Sequence, residues 1–268
     1  MGLFSKKSCD ICGGEIGLLG NKKLADGNMC KNCASKLSPW FQDRKHTSLA
    51  DIKDQLAYRE ENEKEVANFN PSLSLGNGST VVMIDEDQNK FIVTSARKWR
   101  DTNPDVIKFD DVLGCEMKID LSSYEDTEQG PDGETHKTGI VENTYTFNEI
   151  IRVRNDFFDE IRFTLGKVEE ETGSRNSFMP GLKLKIGPGE INFGGGGSQG
   201  SNEHSAEYYN LANIGAEIKR IIMESRAQVK SAQAEAAKPK VAVTCKCCGA
   251  TTIPDEIGRC EFCGGKAE

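Results

Sequence analysis

Eight of the ten cysteines form four Cys-x2-Cys pairs at the two ends of the 268-residue chain. Cys9 and Cys12 are answered by Cys30 and Cys33 after 17 residues; Cys245 and Cys248 are answered by Cys260 and Cys263 after 11. A two-residue spacer lets both sulfurs of a pair reach one ion, and two pairs supply four thiolates at about 2.3 Å in a tetrahedron. Glycine follows Cys12, Cys248 and Cys263, where the backbone must turn under the metal without a Cβ clash. Four protein ligands leave no position for a substrate, so both sites are expected to be structural. Zinc is the expected ion at each, two in all, with rubredoxin-like iron as the rival because thiolates suit both. Cys247 stands in a spacer position as a spare thiol able to compete for the second metal. Cys115, in Val-Leu-Gly-Cys-Glu-Met, reads as a small buried hydrophobe. Clustering at the ends of a long chain without an export signal favours metal over disulfides, and neither site sits in the βαβ context of a dithiol redox pair.

No other residues assemble into a reacting set. None of the three histidines, His46, His136 and His204, has a cysteine or serine beside it in a nucleophile setting. No G-K-[ST] loop and no H-E-x-x-H occurs. The acidic runs at Asp85-Glu86-Asp87, Asp110-Asp111 and Glu169-Glu170-Glu171 read as solvated turns, and the first lacks an EF-hand pattern. Gly195, Gly197 and Gly200 satisfy G-x-G-x-x-G, but the helical pattern that follows continues through Lys219-Arg220-Ile221. A dinucleotide site would need a second strand there, closed by an acidic residue, so a flexible linker is expected. The chain is expected not to be an enzyme.

The elements that must position the cysteines form an α+β chain. Residues 1–46 make a treble-clef or knuckle-type zinc module, with a hairpin between the pairs, a short helix over 34–37 ended by Pro39, and Trp40 and Phe41 as apolar cover. Residues 47–70 form a connecting helix. Ser48 is its N-cap, with Asp51 three positions on. Leu49, Ile52, Leu56 and Val66 lie at helical spacing, and the charged stretch 59–65 is a solvated face. Residues 71–166 form an antiparallel β-domain, with a hairpin over 80–94, strands at 106–109 and 112–120, a polar connection at 122–142, and long strands at 144–154 and 159–165. Phe157 or Phe158 folds back from the turn between the last two. A flexible Gly-rich insertion is expected at 167–201. The helix at 202–232 carries Leu211, Ile214, Ile218, Ile221, Ile222 and Val229 on one stripe. A tether at 233–243 leads to a zinc ribbon at 244–268.

Residues 8–70 resemble a bacterial domain family of unknown function whose members begin with this four-cysteine module. The resemblance rests on the two knuckles, Gly-Leu-Leu-Gly-Asn, Lys-Leu-Ser-Pro and the following helix, in that order. It implies zinc binding and an intracellular setting, with no established activity. The strand succession ending in an amphipathic helix, with Lys90-Phe91-Ile92-Val93 and 105–117, is similar to a pleckstrin-homology-like domain, a fold that hosts lipid, peptide and purely structural roles.

Charge bounds the partners. The formal net charge is −8, and residues 69–200 carry 23 acidic against 14 basic side chains. Such a middle repels phosphate backbones, so nucleic acid is disfavoured; binding through the ribbon stays as the weakest alternative, with its near-neutral charge against it. Lys6, Lys7, Lys22, Lys23, Lys31, Lys36, Arg44 and Lys45 leave the first module locally basic; the surface reads as a solvated rim, with an anionic lipid surface open as the alternative partner. A protein partner is the leading expectation. Without a signal peptide or an apolar run of roughly 20 residues, the expected location is cytoplasmic with no transmembrane segment.

Overall fold

A computed structural model describes residues 7–17, 19–130, 133–173, 185–186, 189–190, 204–237, 242–255 and 257–267. The chain divides into two compact units, Met1–Arg226 and Ala227–Glu268.

The first unit begins with two small ribbons. β1 (Lys7–Ser8) pairs with β2 (Glu15–Ile16), and β3 (Lys22–Lys23) with β4 (Asn28–Met29). α1 spans Lys31–Ala34, with Cys30 as its N-cap. It thus starts three residues before the expected helix; Leu37 falls in the turn beyond, still buried. α2 (Leu49–Asn68) opens on the expected capping box: Ser48 Oγ accepts from Asp51 N–H, and the Asp51 carboxylate accepts from Ser48 N–H. Asp26 adds a second acceptor for the same helix end, taking the Leu49 N–H at 2.7 Å.

α2 joins two cores. Ile52 packs with Ile16, Leu24, Met29 and Leu37 of the cysteine module. Val66 packs with Phe69, Ile92 and Trp99 beside the β-sheet. The buried positions are Ile52, Gln55, Arg59, Asn62 and Val66, one stripe at three- and four-residue spacing. The expectation of a solvated face over 59–65 is therefore wrong for Arg59 and Asn62, which lie on the inner side because the helix phase set by Ile52 and Val66 puts them there.

Two antiparallel sheets follow. The first has the order β5 (Leu73–Gly76), β6 (Val81–Asp85), β7 (Lys90–Thr94) and β8 (Ile107–Lys108); β5 adds a strand to those expected. The second has β10 (Thr135–Val153) at its centre, between β9 (Val112–Gln129) and β11 (Glu160–Gly173). The polar stretch 122–142 is thus mainly strand, not a connection. With both faces partly wet it loses hydrophobic alternation, and cross-strand polar pairs stand in for it: Ser123 Oγ donates to Asn143 Oδ1 at 2.6 Å, and Lys137 pairs with Glu125. β11 runs on to Gly173, and β12 (Lys185–Ile186) pairs with β13 (Gly189–Glu190), where irregular chain was expected. Phe158 is the buried aromatic of the 155–158 turn, while Phe157 sits against Tyr58 at 5.3 Å between ring centroids. The G-x-G-x-x-G glycines, most of the Gly-rich insertion and tether residues 238–241 lie outside the described residues.

α3 spans Ala206–Ala236. Ser205 caps it by accepting the Tyr208 N–H, and Glu170 of β11 receives the Ser205 N–H at 2.7 Å and the His204 ring at 2.8 Å. Leu211, Ile218 and Ile222 of the expected stripe are buried, with Gly215 between them. Gly215 lets the helix backbone approach the three-stranded sheet, since a Cβ there would collide with Met117, Glu149 and Leu165. In the second unit, β14 (Val243–Thr244) pairs with β15 (Thr251–Thr252), and Arg259 bridges Lys266.

Candidate metal centres

The structure gathers each expected quartet. The sulfurs of Cys9, Cys12, Cys30 and Cys33 lie within 4.8 Å of one another, as do those of Cys245, Cys248, Cys260 and Cys263. Cys9–Cys33 and Cys12–Cys30 are 3.9 and 3.8 Å apart; Cys245–Cys263 and Cys248–Cys260 are both 3.7 Å. Four bonds of about 2.3 Å in a tetrahedron require edges of about 3.8 Å. Both quartets fit that geometry, and their soft donors suit zinc or iron.

Three of the four pairs share one backbone turn. Gly13, Gly249 and Gly264 each donate an N–H to the carbonyl four residues back, of Cys9, Cys245 and Cys260, at 2.8–2.9 Å. In the same three turns, Cys9, Cys245 and Cys260 donate to Gly14, Ala250 and Gly265, five residues on. The glycines sit at φ +71, +73 and +69°, a left-handed conformation that a side chain disfavours. The fourth pair is different. Cys30 and Cys33 ride on the first turn of α1, where the Cys30 sulfur takes the Cys33 N–H at 3.4 Å. The hairpin β3–β4 delivers that helix to the knuckle, and Asp10 ties the two by accepting the Asn28 N–H at 2.7 Å.

Backbone N–H groups prepare the thiolates. Burial pushes the Cys9 thiol up, but the N–H groups of Cys12, Cys30 and Ile11 outweigh it and bring the group down to about 6. Cys260 likewise falls to about 6, with burial opposed by the N–H groups of Cys263 and Phe262. Cys33 goes the other way: burial and the neighbouring sulfurs hold its proton. Crowded thiolates repel one another, and a dication at the centre would remove that penalty. Cys247 stays outside the second quartet, exposed, with its sulfur 4.0 Å from the Lys266 carbonyl. Cys115 is buried, with its thiol 3.7 Å from Glu149 Oε2.

Sequence reasoning missed the polar joint that anchors the first module. Asp105, from the loop before β8, accepts from Arg59 Nη1 at 2.6 Å, Ser38 Oγ at 2.8 Å and the Tyr58 hydroxyl at 3.2 Å. Arg59 also donates to the carbonyls of Lys36 and Asn103. Asn62 bonds Pro104 O and receives the Val106 N–H. Module, helix and β-domain therefore meet at one buried ion pair, both of whose side chains are almost wholly covered. The available signal was the continuation of the Ile52–Val66 stripe through polar residues.

Residues 7–55 match the model of a family described as a domain of unknown function (DUF4428). No curated protein and no solved structure matches the chain. Over its cysteine module the chain is similar to that family.

Proposed function

We propose that this is a cytoplasmic, non-enzymatic interaction protein with two structural zinc ions. The observation that carries the reading is two closed sulfur quartets with tetrahedral edges, each using four protein ligands and leaving none for a reactant. The first quartet, with its knuckle, hairpin and helix-borne pair, has the order of a treble clef; the second, with two knuckles, that of a zinc ribbon. A four-stranded and a three-stranded antiparallel sheet followed by a docked helix support a pleckstrin-homology-like middle domain, here a scaffold for a protein partner. Native mass spectrometry of untagged protein from its own cell tests this. Two zinc ions per chain and a stoichiometric protein partner are expected. Absent metal, or cobalt-substituted protein with a water-bearing ion, would overturn it.

A second reading, an adaptor for anionic lipid surfaces, is favoured by one observation. Leu19 is 95% exposed at a loop tip close in sequence to Lys22 and Lys23. An apolar tip with basic neighbours suits an interface of hydrocarbon and anionic headgroups. Binding to phosphatidylserine vesicles should fall with salt and be lost in Lys22→Glu/Lys23→Glu and in Leu19→Asp. Binding indifferent to both variants sinks this reading.

A further inference from the structure

Between the cysteine module and the four-stranded sheet lies a cleft of about 520 Å³, within the range of small-molecule sites. Its lining holds no carboxylate, although the chain is acidic overall. Two guanidinium groups reach it, and they differ. Arg59 is already satisfied by Asp105 and two carbonyls. Arg44, on the 3-10 turn Arg44–His46, makes no ion pair among the described residues. Its Nε is sealed from solvent and has no hydrogen-bond partner. A permanent cation whose N–H groups find no acceptor in the protein is costly; the covered Nε is out of a ligand's reach, but the terminal N–H groups, which also make no hydrogen bond among the described residues, can meet an oxyanion in the cleft. Around it, Trp40, Phe41 and Phe163 offer flat apolar wall, and Thr80 and Ser95 bring hydroxyls that make no side-chain hydrogen bond among the described residues.

We propose that this cleft binds a small organic anion, a carboxylate or phosphate carried on a flat apolar body. The guanidinium of Arg44 takes the oxyanion, the hydroxyls complete its shell, and the aromatic wall takes the body. Both walls are needed, so occupancy also braces the cysteine module against the sheet. The proposal does not depend on which partner the protein serves.

Isothermal titration of the full-length, metal-loaded protein tests it, with phenyl phosphate and benzoate as probes, benzyl alcohol as neutral isostere and inorganic phosphate as bodyless anion. At least one aromatic anion should bind with a Kd on the order of 0.1–1 mM, an ordinary efficiency for ligands of this size. Arg44→Ala should weaken it about 10- to 100-fold, the worth of one charge-assisted hydrogen bond, and Arg44→Lys less. Inorganic phosphate should bind about tenfold or more weakly than phenyl phosphate, since it lacks the buried body. Thr80→Val, across the cleft, gives an independent loss should Arg44→Ala fail to fold with two metal equivalents. Benzyl alcohol binding as tightly as the anions, affinity unchanged in both Arg44→Ala and Thr80→Val, or no saturable heat from either aromatic anion at about 10 mM would each overturn the proposal.

Discussion

The two cysteine quartets share their ligand type, and three of their four pairs share one knuckle turn, but they differ in what surrounds the sulfurs. Beside the first, Ile16, Leu24, Met29, Leu37 and Ile52 form an apolar core, and Asp105 and Arg59 tie the module to the rest of its unit. Beside the second, Ala267 and Val243 are the apolar residues that join the cysteines among the described residues, while Ile253, Ile257 and Phe262 are exposed. A ribbon of this size cannot bury enough surface to offset its chain entropy. With metal bound as proposed, its fold would rest on the ion, whereas the first module would divide its stability between metal, packing and a buried ion pair.

The sharpest break in that comparison is metal removal. Cys260→Ser, or a strong chelator, should unfold residues 242–267 completely, because binding energy of about 10–16 kcal/mol is the ribbon's folding energy. Amide dispersion of those residues should collapse while the first unit's spectrum persists; a ribbon that stays dispersed would refute the contrast. Cys12→Ser should disorder the knuckle and hairpin, yet hydrogen exchange should still find α2 protected through Val66, Phe69 and Trp99.

Next in size is the joint. Asp105→Ala leaves the Arg59 guanidinium buried without its counter-charge, at a cost of about 3–5 kcal/mol, readable as a lower urea midpoint of the first unit. An unchanged midpoint would mean that packing alone holds the module.

Glu149 probes the first unit without touching either quartet. Its side chain is fully buried between the three-stranded sheet and α3, and Oε1 has no partner. Burial lifts its carboxyl to about 7, against the Cys115 thiol, Lys219 and the Ile150 N–H, which pull it down. Between its ordinary value of 4.5 and about 7, the folded protein keeps a proton that the unfolded chain has released. Stability should therefore fall as pH rises through that window. Glu149→Gln should remove the decline and gain about 1–3 kcal/mol at pH 8, with little effect at pH 4; parallel pH curves for the two proteins would contradict this.

The smallest effect belongs to the helix cap. Ser48→Ala breaks the capping box and should cost about 1 kcal/mol in thermal denaturation of the first unit, with the ribbon unaffected.

What the amino-acid order determined by itself was local. Cysteine spacing and the glycines after Cys12, Cys248 and Cys263 prescribe the knuckles, because ligand reach and backbone φ are settled within six residues. Ser48 with Asp51, and the apolar stripe of α3, were readable for the same reason: each signal lies within a few turns of chain. Only the tertiary structure decided the rest. It set the strands through 122–142, whose polar residues answer to a facing strand and not to their own neighbours. It buried Arg59 and Asn62, whose polarity reads as solvent until Asp105, Asn103 and Pro104 are seen opposite. It left Arg44 without an acceptor beside an aromatic wall drawn from distant parts of the chain. Charge and hydrophobicity report what a residue can do, but burial and partnership depend on which segments the fold brings against it.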